Sequence, residues 1–361
     1  MTNTFSGLYQ QNPVKRARRE TAALAAMLLL TTVLSYLAAL AVSLIGPFLS
    51  SGISLVLARQ FGFSASEARL ILADLSASAL WTQFYSMLAE FVTFFLPFAF
   101  FSKCIQNRPF DEVFPLCGGK KIGFFPALYA CQMTVASAAS ALCNAIGGFV
   151  APDFFASYPV EDAVGMTGAE TLVYFLSLCV FTPLVEEYVF RGVIFGSLRK
   201  YGFGYAAVAS ALLFGLAHGG PSSLAYALTA GLIFAAAYEM TGSVKCGVLL
   251  HALNNTVSFL FGTFLPQYTD ESFIETANMF FNLLVGVLAV WGFVHMLRLV
   301  NAKKRADGET LERGGSEEIH EPEPPAAQTP QVPLKAFFSL GTVFYILLFL
   351  YNMMMIYWYG Y

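Results

Sequence analysis

The sequence predicts an all-α membrane protein, a polytopic helix bundle of about nine transmembrane helices, with eight as the alternative count. Of its 361 residues, 57% are hydrophobic and only 12% are charged, and the mean hydropathy is +0.62. Soluble domains carry about 25% charged residues, so this composition places most of the chain in lipid. The apolar runs are continuous rather than alternating, which favours helices over a β-barrel. Nothing in the net charge of −3 indicates a nucleic-acid partner.

Nine apolar runs follow one another along the chain, and we interpret each as a membrane span. A helix that crosses a bilayer needs roughly 20 apolar residues, and most of the runs reach that length. The fifth run is the shortest, and it breaks at Gly219-Gly220-Pro221. The predicted spans are residues 21–49, 80–101, 122–149, 172–195, 205–218, 224–240, 246–265, 277–300 and 336–358.

The spans and the segments around them define the predicted domains. The N-terminal segment ends in a basic cluster, and a later segment is charged and rich in proline, a composition typical of disorder. The predicted domains are a basic cytoplasmic tail (1–20), three N-terminal helices (21–160), a core of helices four to seven (165–265), helix eight (277–300), a disordered cytoplasmic linker (301–335) and a C-terminal helix (336–361).

The basic residues predict how the bundle is oriented. Lys and Arg concentrate in the cytoplasmic loops of membrane proteins. With the N-terminus inside, 18 of the 20 Lys and Arg residues fall on the cytoplasmic side, and only Arg59 and Arg69 do not. We therefore expect a multi-pass protein of the cell membrane, in contact with the lipid bilayer, whose N-terminus and linker are cytoplasmic and whose C-terminus is outside.

The fourth predicted span carries two adjacent carboxylates, Glu186 and Glu187, together with Arg191. One acidic residue at the centre of a membrane helix costs about 2.5–3.5 kcal/mol on insertion scales. Because Glu187 and Arg191 are four residues apart, they lie on one helix face and are expected to pair. Glu186 lies about 100° around the helix from Glu187. Pairing therefore neutralises one carboxylate and leaves Glu186 available for chemistry.

Few other polar residues lie inside the predicted spans. His218 ends the fifth span, four residues after Phe214. His251 and Asn255 share one face of the seventh span because they are also four residues apart. The remaining polar residues stand alone in or near their spans and are equally well explained by a structural role; they are Glu90, Glu239 and His295.

Glu186, His218, His251 and Asn255 have the chemistry needed to hydrolyse an amide by direct water attack. A buried carboxylate suits a general base, and a neighbouring histidine can share the activated water. A second histidine and an asparagine on one face can donate hydrogen bonds to an oxyanion. The set contains no serine or cysteine nucleophile. A glutamate and two histidines also bind catalytic zinc, so Glu186, His218 and His251 are the alternative metal set.

Three motifs on separate spans resemble the signatures of the CPBP (Abi) family. This is the CAAX-processing and bacteriocin-immunity family of intramembrane proteases, which includes the type II CAAX prenyl endopeptidases. Each motif alone is weak, and the three in this order are specific. The motifs are Glu186-Glu187-x-x-x-Arg191, Phe214-x-x-x-His218 and His251-x-x-x-Asn255.

The resemblance covers residues 186–255 and implies both a fold and a set of roles. It implies a multi-helix membrane bundle with the site in a cavity open to the cytosol. Glu186 and His218 would activate water, and His251 and Asn255 would stabilise the oxyanion. Glu187 and Arg191 would be the supporting pair. The family is often catalogued as metalloprotease, so a divalent metal such as zinc stays an alternative cofactor.

Two other classes of function remain open. A non-catalytic immunity or scaffold protein would keep the fold and lose a motif residue, and none is lost here. A transporter would carry internal repeats and paired broken helices, and only one break is present. For an enzyme, the expected partner is a membrane-associated peptide or protein substrate, either CAAX-like, a precursor peptide or a membrane-protein tail.

The expected depths of the site residues disagree with one another. Arg191 is near the predicted cytoplasmic end of its span, and Glu186 lies five residues, or about 7.5 Å, deeper in the membrane. His218 lies thirteen residues, or about 20 Å, from the start of its own span. We expect the fifth span to resolve this by being short, starting late and ending inside the membrane at the Gly219-Gly220-Pro221 break.

Overall fold

A computed structural model describes residues 12–116, 125–152, 166–313 and 331–359, and within these ranges the chain is helical with no β-strand. Ten helices longer than ten residues occur there, and several contain π-helical turns. They are α1 Pro13–Phe61, α2 Ala65–Ala77, α3 Leu80–Ile105, α4 Phe125–Val150, α5 Gly168–Tyr201, α6 Phe203–Ala217, α7 Pro221–Thr241, α8 Lys245–Gln267, α9 Glu271–Arg313 and α10 Leu340–Tyr359.

The all-α membrane bundle is confirmed by length and composition. In the described part of the chain, eight helices are long and apolar enough to cross a bilayer: α1, α3, α4, α5, α7, α8, α9 and α10. The remaining predicted span, the fifth in sequence, is α6, which is apolar but has only 15 residues. The protein is therefore a polytopic helical bundle, and its described part holds eight helices of membrane-spanning length and the shorter helices α2 and α6.

Helix α5 is irregular on both sides of the Glu pair. The segment Thr182–Glu187 is α-helical, and π-helical turns precede it at Ser177–Phe181 and follow it at Tyr188–Phe195. Such turns are frequent at functional sites because they redirect side chains and free backbone groups. Every residue of Tyr188–Phe195 is buried. The motif thus lies in the most enclosed part of the bundle.

A tight turn joins α5 to α6 and sets the depth of the site. Gly202 has φ 106° and ψ 143°, a conformation open only to glycine, and it separates two antiparallel helices. Glu186 and His218 each lie sixteen residues from Gly202, so they reach similar depth. The expected late start of the fifth span is wrong. Helix α6 already begins at Phe203. The depths agree because α5 continues ten residues beyond Arg191, so that Arg191 is not at a helix end.

The sequence-based boundaries at the two polar segments need correction. Helix α1 begins at Pro13, so the predicted tail 1–20 is helical from that residue onward, and 1–11 lie outside the described residues. The predicted disordered linker 301–335 is wrong for 301–313, which continue α9 because they are rich in helix formers and contain no proline. Near its end, Val332 is buried and donates its N–H to the Tyr201 carbonyl at 3.1 Å. Residues 314–330 lie outside the described part.

Candidate active site

The predicted pair of Glu187 and Arg191 is confirmed. Arg191 Nη1 lies 2.9 Å from Glu187 Oε1, and both side chains have no solvent exposure. The guanidinium also lies over the rings of Phe214 and Phe234, at 4.3 and 5.0 Å from their centroids. Cation–π contacts and a carboxylate together compensate for its loss of hydration. Arg191 is therefore an internal cation of the bundle and does not extend to a membrane surface.

Two glycines make the space that this ion pair occupies. A Cβ built on Gly247 of α8 would lie 2.6 Å from Glu187 Oε2. A Cβ on Gly231 of α7 would lie 3.1 Å from Arg191 Nη2. Small residues allow membrane helices to approach closely, and here they admit charged groups from a neighbouring helix. The packing of α5 against α7 and α8 is thus specific to the ion pair.

His251 lies between the two adjacent carboxylates. Its Nδ1 is 3.3 Å from Glu187 Oε1, and its Nε2 is 3.6 Å from Glu186 Oε2. The ring is nearly parallel to that of Phe234, with 5.6 Å between the ring centroids. Because one ring nitrogen faces each carboxylate, His251 connects the buried ion pair to the more accessible Glu186. The structure thus places His251, rather than His218, next to Glu186.

His218 is the residue at which α6 ends. Its Nδ1 lies 2.8 Å from the Phe214 carbonyl, which can only accept, so this nitrogen carries a hydrogen, and in the neutral ring Nε2 has the lone pair. The Phe214 ring contacts both histidines, at centroid distances of 4.5 Å to His218 and 5.7 Å to His251. No hydrogen bond or ion pair joins His218 to Glu186 among the described contacts of these two residues.

Asn255 has a structural partner that follows from the irregularity of α5. Its Nδ2 donates to the Leu178 carbonyl at 2.8 Å. In the π-helical turn, the Thr182 N–H bonds to the Ser177 carbonyl, and the next residue, Pro183, has no N–H to offer Leu178. The Leu178 carbonyl is therefore left for a side-chain donor. An amide carries two N–H groups, so Asn255 keeps one for another acceptor.

Glu90, a lone polar residue of its span in the sequence, joins the site in the structure. The Thr182 hydroxyl donates to Glu90 Oε2 at 2.9 Å, and Thr182 precedes Glu186 by one helical turn. The Glu90 carboxylate interacts electrostatically with both Glu186 and His251. No motif or spacing could have revealed this contact, because α3 and α5 are separated by more than 60 residues of sequence. Glu239 and His295 instead have structural contacts elsewhere, with Arg199 and Trp291.

A cavity of about 380 Å³ lies beside this cluster, between α4, α7 and α8. His218, His251, Asn254 and Asn255 line it, together with apolar side chains such as Phe234. Its lining residues extend along α7 from Phe234 to Ser222, away from Lys245. On the predicted orientation this direction is toward the outer side, whereas the resemblance implied a cytosolic opening.

The alternative zinc set is not assembled in this conformation. Catalytic zinc requires three protein ligands. In the part of the chain that the structure describes, no three His, Cys, Asp or Glu side chains are grouped as metal ligands. Glu186 and His251 provide two neighbouring donors, and His218 is not grouped with them. This conformation therefore brings together two of the three predicted zinc ligands, and zinc binding stays a prediction.

Fold and site together define the class: a polytopic helical membrane protein with a buried carboxylate–histidine cluster next to a cavity. Residues 168–257 match the family model described as Type II CAAX prenyl endopeptidase Rce1-like. The match covers all three motifs and confirms the resemblance seen in the sequence, so this region of the chain is similar to the CPBP family of intramembrane proteases.

Two curated relatives support the assignment. The chain is 32% identical over 120 residues to "Membrane-embedded CAAX protease MroQ" of Staphylococcus aureus (strain USA300), covering 31% of this chain and 47% of the relative. It is 28% identical over 107 residues to "Putative membrane peptidase YdiL" of Bacillus subtilis (strain 168), covering 29% and 42%. The matches thus span slightly less than half of each relative. No solved structure matches the chain.

Proposed function

We propose that this protein is an intramembrane endopeptidase that hydrolyses a peptide bond of a membrane-associated substrate with water activated by Glu186. The observation that carries the proposal is the position of His251, whose Nε2 lies 3.6 Å from Glu186 Oε2 while its ring lines the 380 Å³ cavity. A carboxylate, a histidine and space for a peptide are thus found together within the bundle.

Glu186 is the proposed general base. Its Oε2 is buried and makes no hydrogen bond, so it can accept one from a water molecule. His218 offers its Nε2 lone pair to the second hydrogen of that water. As Glu186 takes one proton, the water oxygen attacks the carbonyl carbon of the scissile bond and forms a tetrahedral oxyanion. Glu186 then returns the proton to the departing amine as the C–N bond breaks.

Asn255 and His251 are the proposed stabilisers of the oxyanion. Asn255 has a second N–H beyond the one held by Leu178, and both side chains line the cavity. The Glu187–Arg191 pair holds the Nδ1 side of His251 and so orients the ring. Each such donor typically contributes about 10²–10³ in rate. Glu187 and Arg191 are positioning residues in this scheme, as is Phe214 between the two histidines.

The proposed substrate class is a membrane-associated peptide or protein segment, including CAAX-like C-termini. One matched relative is named a CAAX protease and the other a putative membrane peptidase, and the site lies in helices of membrane-spanning length. We further propose that the protein resides in the cell membrane with its N-terminus in the cytoplasm, that it needs no bound metal, and that it has no nucleic-acid partner.

The experiment compares Glu186→Gln with the unchanged protein, both reconstituted in vesicles. The reporter is a quenched fluorescent peptide that ends in a farnesylated CAAX sequence, supplemented by mass spectrometry of membrane peptides from cells that express each form. Glu239→Gln is the matched control, because Glu239 forms a surface ion pair with Arg199. We expect cleavage by the unchanged protein and the control but not by Glu186→Gln. Equal products from all three forms would exclude the proposed base.

The metal question has its own test. We expect the purified protein to carry no stoichiometric metal and to stay active after prolonged chelation. One tightly bound zinc per chain, with activity lost on chelation and restored by zinc, would replace the water mechanism with a metalloprotease mechanism.

A further inference from the structure

One face of α8 presents a polar stripe to the cavity. His251, Asn254, Asn255 and Ser258 are spaced i, i+3, i+4 and i+7 along the helix, and all four line the cavity. Seven residues of helix rise about 10.5 Å. Two of the four, His251 and Asn255, already have roles in the proposed chemistry. The other two have none, and Asn254 is the more buried of them.

Asn254 has an unpaired acceptor. Its side chain belongs to a residue that is only 7% exposed, and its Oδ1 is buried without a hydrogen-bond partner. Neighbouring Asn255 differs, because its Nδ2 donates to the Leu178 carbonyl. Buried polar atoms are nearly always paired in native proteins, so an unpaired one beside a cavity requires an explanation, and a partner that enters the cavity is one.

The facing walls of the cavity do not satisfy this oxygen. Met133 of α4 and Ala230 and Phe234 of α7 line the cavity with apolar side chains, and the hydroxyl of Tyr226, which also lines it, donates to Met133 Sδ at 3.0 Å. The missing partner is therefore a hydrogen-bond donor on the molecule that enters the cavity. A peptide supplies such donors as backbone N–H groups, one per residue.

We propose that Asn254 Oδ1 accepts a hydrogen bond from a backbone N–H of an extended substrate segment that lies along the α8 stripe. A helical segment pairs its own N–H groups internally, so only a non-helical segment offers a free one. Extended chain rises about 3.3 Å per residue, so about three residues span the stripe. This inference rests on the proposed function, in which His251 and Asn255 bind the carbonyl of the scissile bond. Asn254 would then select substrates that are not helical next to that bond.

The first measurement is thermal unfolding in detergent without substrate. Asn254→Leu removes an unpaired polar atom beside open space, so we expect a melting temperature equal to or above that of the unchanged protein. Asn255→Leu removes the donor of the Leu178 carbonyl, so its melting temperature is expected to fall. If Asn254→Leu falls as far as Asn255→Leu, Asn254 is a structural residue and the inference is wrong.

The second measurement uses the farnesylated CAAX reporter in a series in which each backbone amide is N-methylated in turn. For one amide near the scissile bond, we expect methylation to lower kcat/KM of the unchanged protein by about 3- to 10-fold, the worth of one hydrogen bond. In Asn254→Leu the same methylation has no further effect, because the acceptor is already missing. The control is Asn282→Leu, which removes a carboxamide on α9 outside this cavity. This variant should be as sensitive to the methylation as the unchanged protein.

Equal methylation penalties in the unchanged protein and in Asn254→Leu at every amide would overturn the inference while leaving the protease intact. If the unchanged protein cleaves no reporter, the proposed function fails instead. The same peptides are then compared by the rise in melting temperature that they cause on binding. Selective loss of that rise in Asn254→Leu supports the hydrogen bond, and an identical rise in both forms contradicts it.

Discussion

At the scale of single residues, the adjacent glutamates have different environments although they are neighbours in sequence. Glu187 is fully buried against Arg191, whereas Glu186 keeps 19% of its side chain exposed and an unpaired oxygen. Removing one partner of a buried ion pair leaves an uncompensated charge and costs about 3–5 kcal/mol. We therefore expect the two positions to be separable, with Glu187 serving stability and Glu186 serving the proposed chemistry.

The first prediction follows from this separation. Glu187→Gln should lower the stability of the folded protein by roughly 3–5 kcal/mol, because Arg191 loses its partner. Glu186→Gln should abolish hydrolysis and unfold at nearly the same temperature as the unchanged protein. Thermal unfolding in detergent together with reporter cleavage measures both. Equal stability and equal residual activity of the two variants would remove the distinction.

The second prediction concerns the space that α8 leaves for Glu187. Gly247→Ala would place a methyl group 2.6 Å from Glu187 Oε2, and such overpacking typically costs about 1–3 kcal/mol. The matched control is Gly286→Ala on α9, where a Cβ meets nothing within 4 Å. Unfolding measurements should show a loss for Gly247→Ala alone. A Gly247→Ala protein as stable as the Gly286→Ala control would mean that Glu187 does not occupy this position.

At the scale of the helices, two backbone features place the reactive groups. The π-helical turn before Thr182 leaves the Leu178 carbonyl to Asn255 and so joins α5 to α8. The turn at Gly202 brings the Glu186 side of α5 and the His218 end of α6 to similar depth. Neither feature depends on side-chain hydrophobicity. Both arise from the particular backbone properties of proline and glycine.

The third prediction tests the turn between α5 and α6. Gly202→Ala would put a side chain at φ 106°, a conformation that costs about 1–3 kcal/mol for a residue other than glycine. We expect lower stability and lower reporter cleavage, since relief of the strain shifts α6 relative to α5. Gly204→Ala is the control, because a Cβ there meets nothing within 4 Å and its φ is not positive. Unchanged cleavage and stability in Gly202→Ala would contradict the assigned turn.

At the scale of the whole molecule, helices outside the matched region 168–257 complete the enclosure of the site. Helix α3 provides Glu90, and α10 packs on α1 and places Tyr345 in the buried core. These elements lie up to about 160 residues from the motif in sequence. The site is thus a property of the assembled bundle, and its orientation in the membrane decides which side substrates approach from.

The fourth prediction concerns that orientation. In a background free of native cysteines, Ser316→Cys should resist an impermeant thiol reagent in intact cells, and Tyr361→Cys should react, because 18 of 20 basic residues fall on the predicted cytoplasmic side. Asp270→Cys, in the loop between α8 and α9, should also react from outside. Labelling of Ser316→Cys in intact cells would show that the orientation is the opposite of the predicted one.

The sequence by itself determined the features that depend on local physics. Helices and their approximate bounds follow from apolar length, and the Glu187–Arg191 pair follows from a four-residue spacing that any helix brings to one face. The choice of Glu186, His218, His251 and Asn255 as site residues also came from motifs within single helices; three of them line the cavity, and their roles stay predictions. The prediction of disorder was wrong at 301–313, where a charged composition is compatible with both a linker and a helix. The fourth span was predicted too short, because its helix continues ten residues beyond the charged Arg191.

Only the tertiary structure decided which side chains face one another. It placed His251 next to Glu186, gave Asn255 the Leu178 carbonyl, brought Glu90 into the cluster and left Asn254 Oδ1 without a hydrogen-bond partner. Lipid tails are as apolar as the packed faces of the helices, so hydrophobicity does not reveal which faces meet. Contacts between helices that are distant in sequence therefore cannot be predicted from hydrophobicity. They depend on packing details such as the space left by glycines, the π-helical turns and the buried charges.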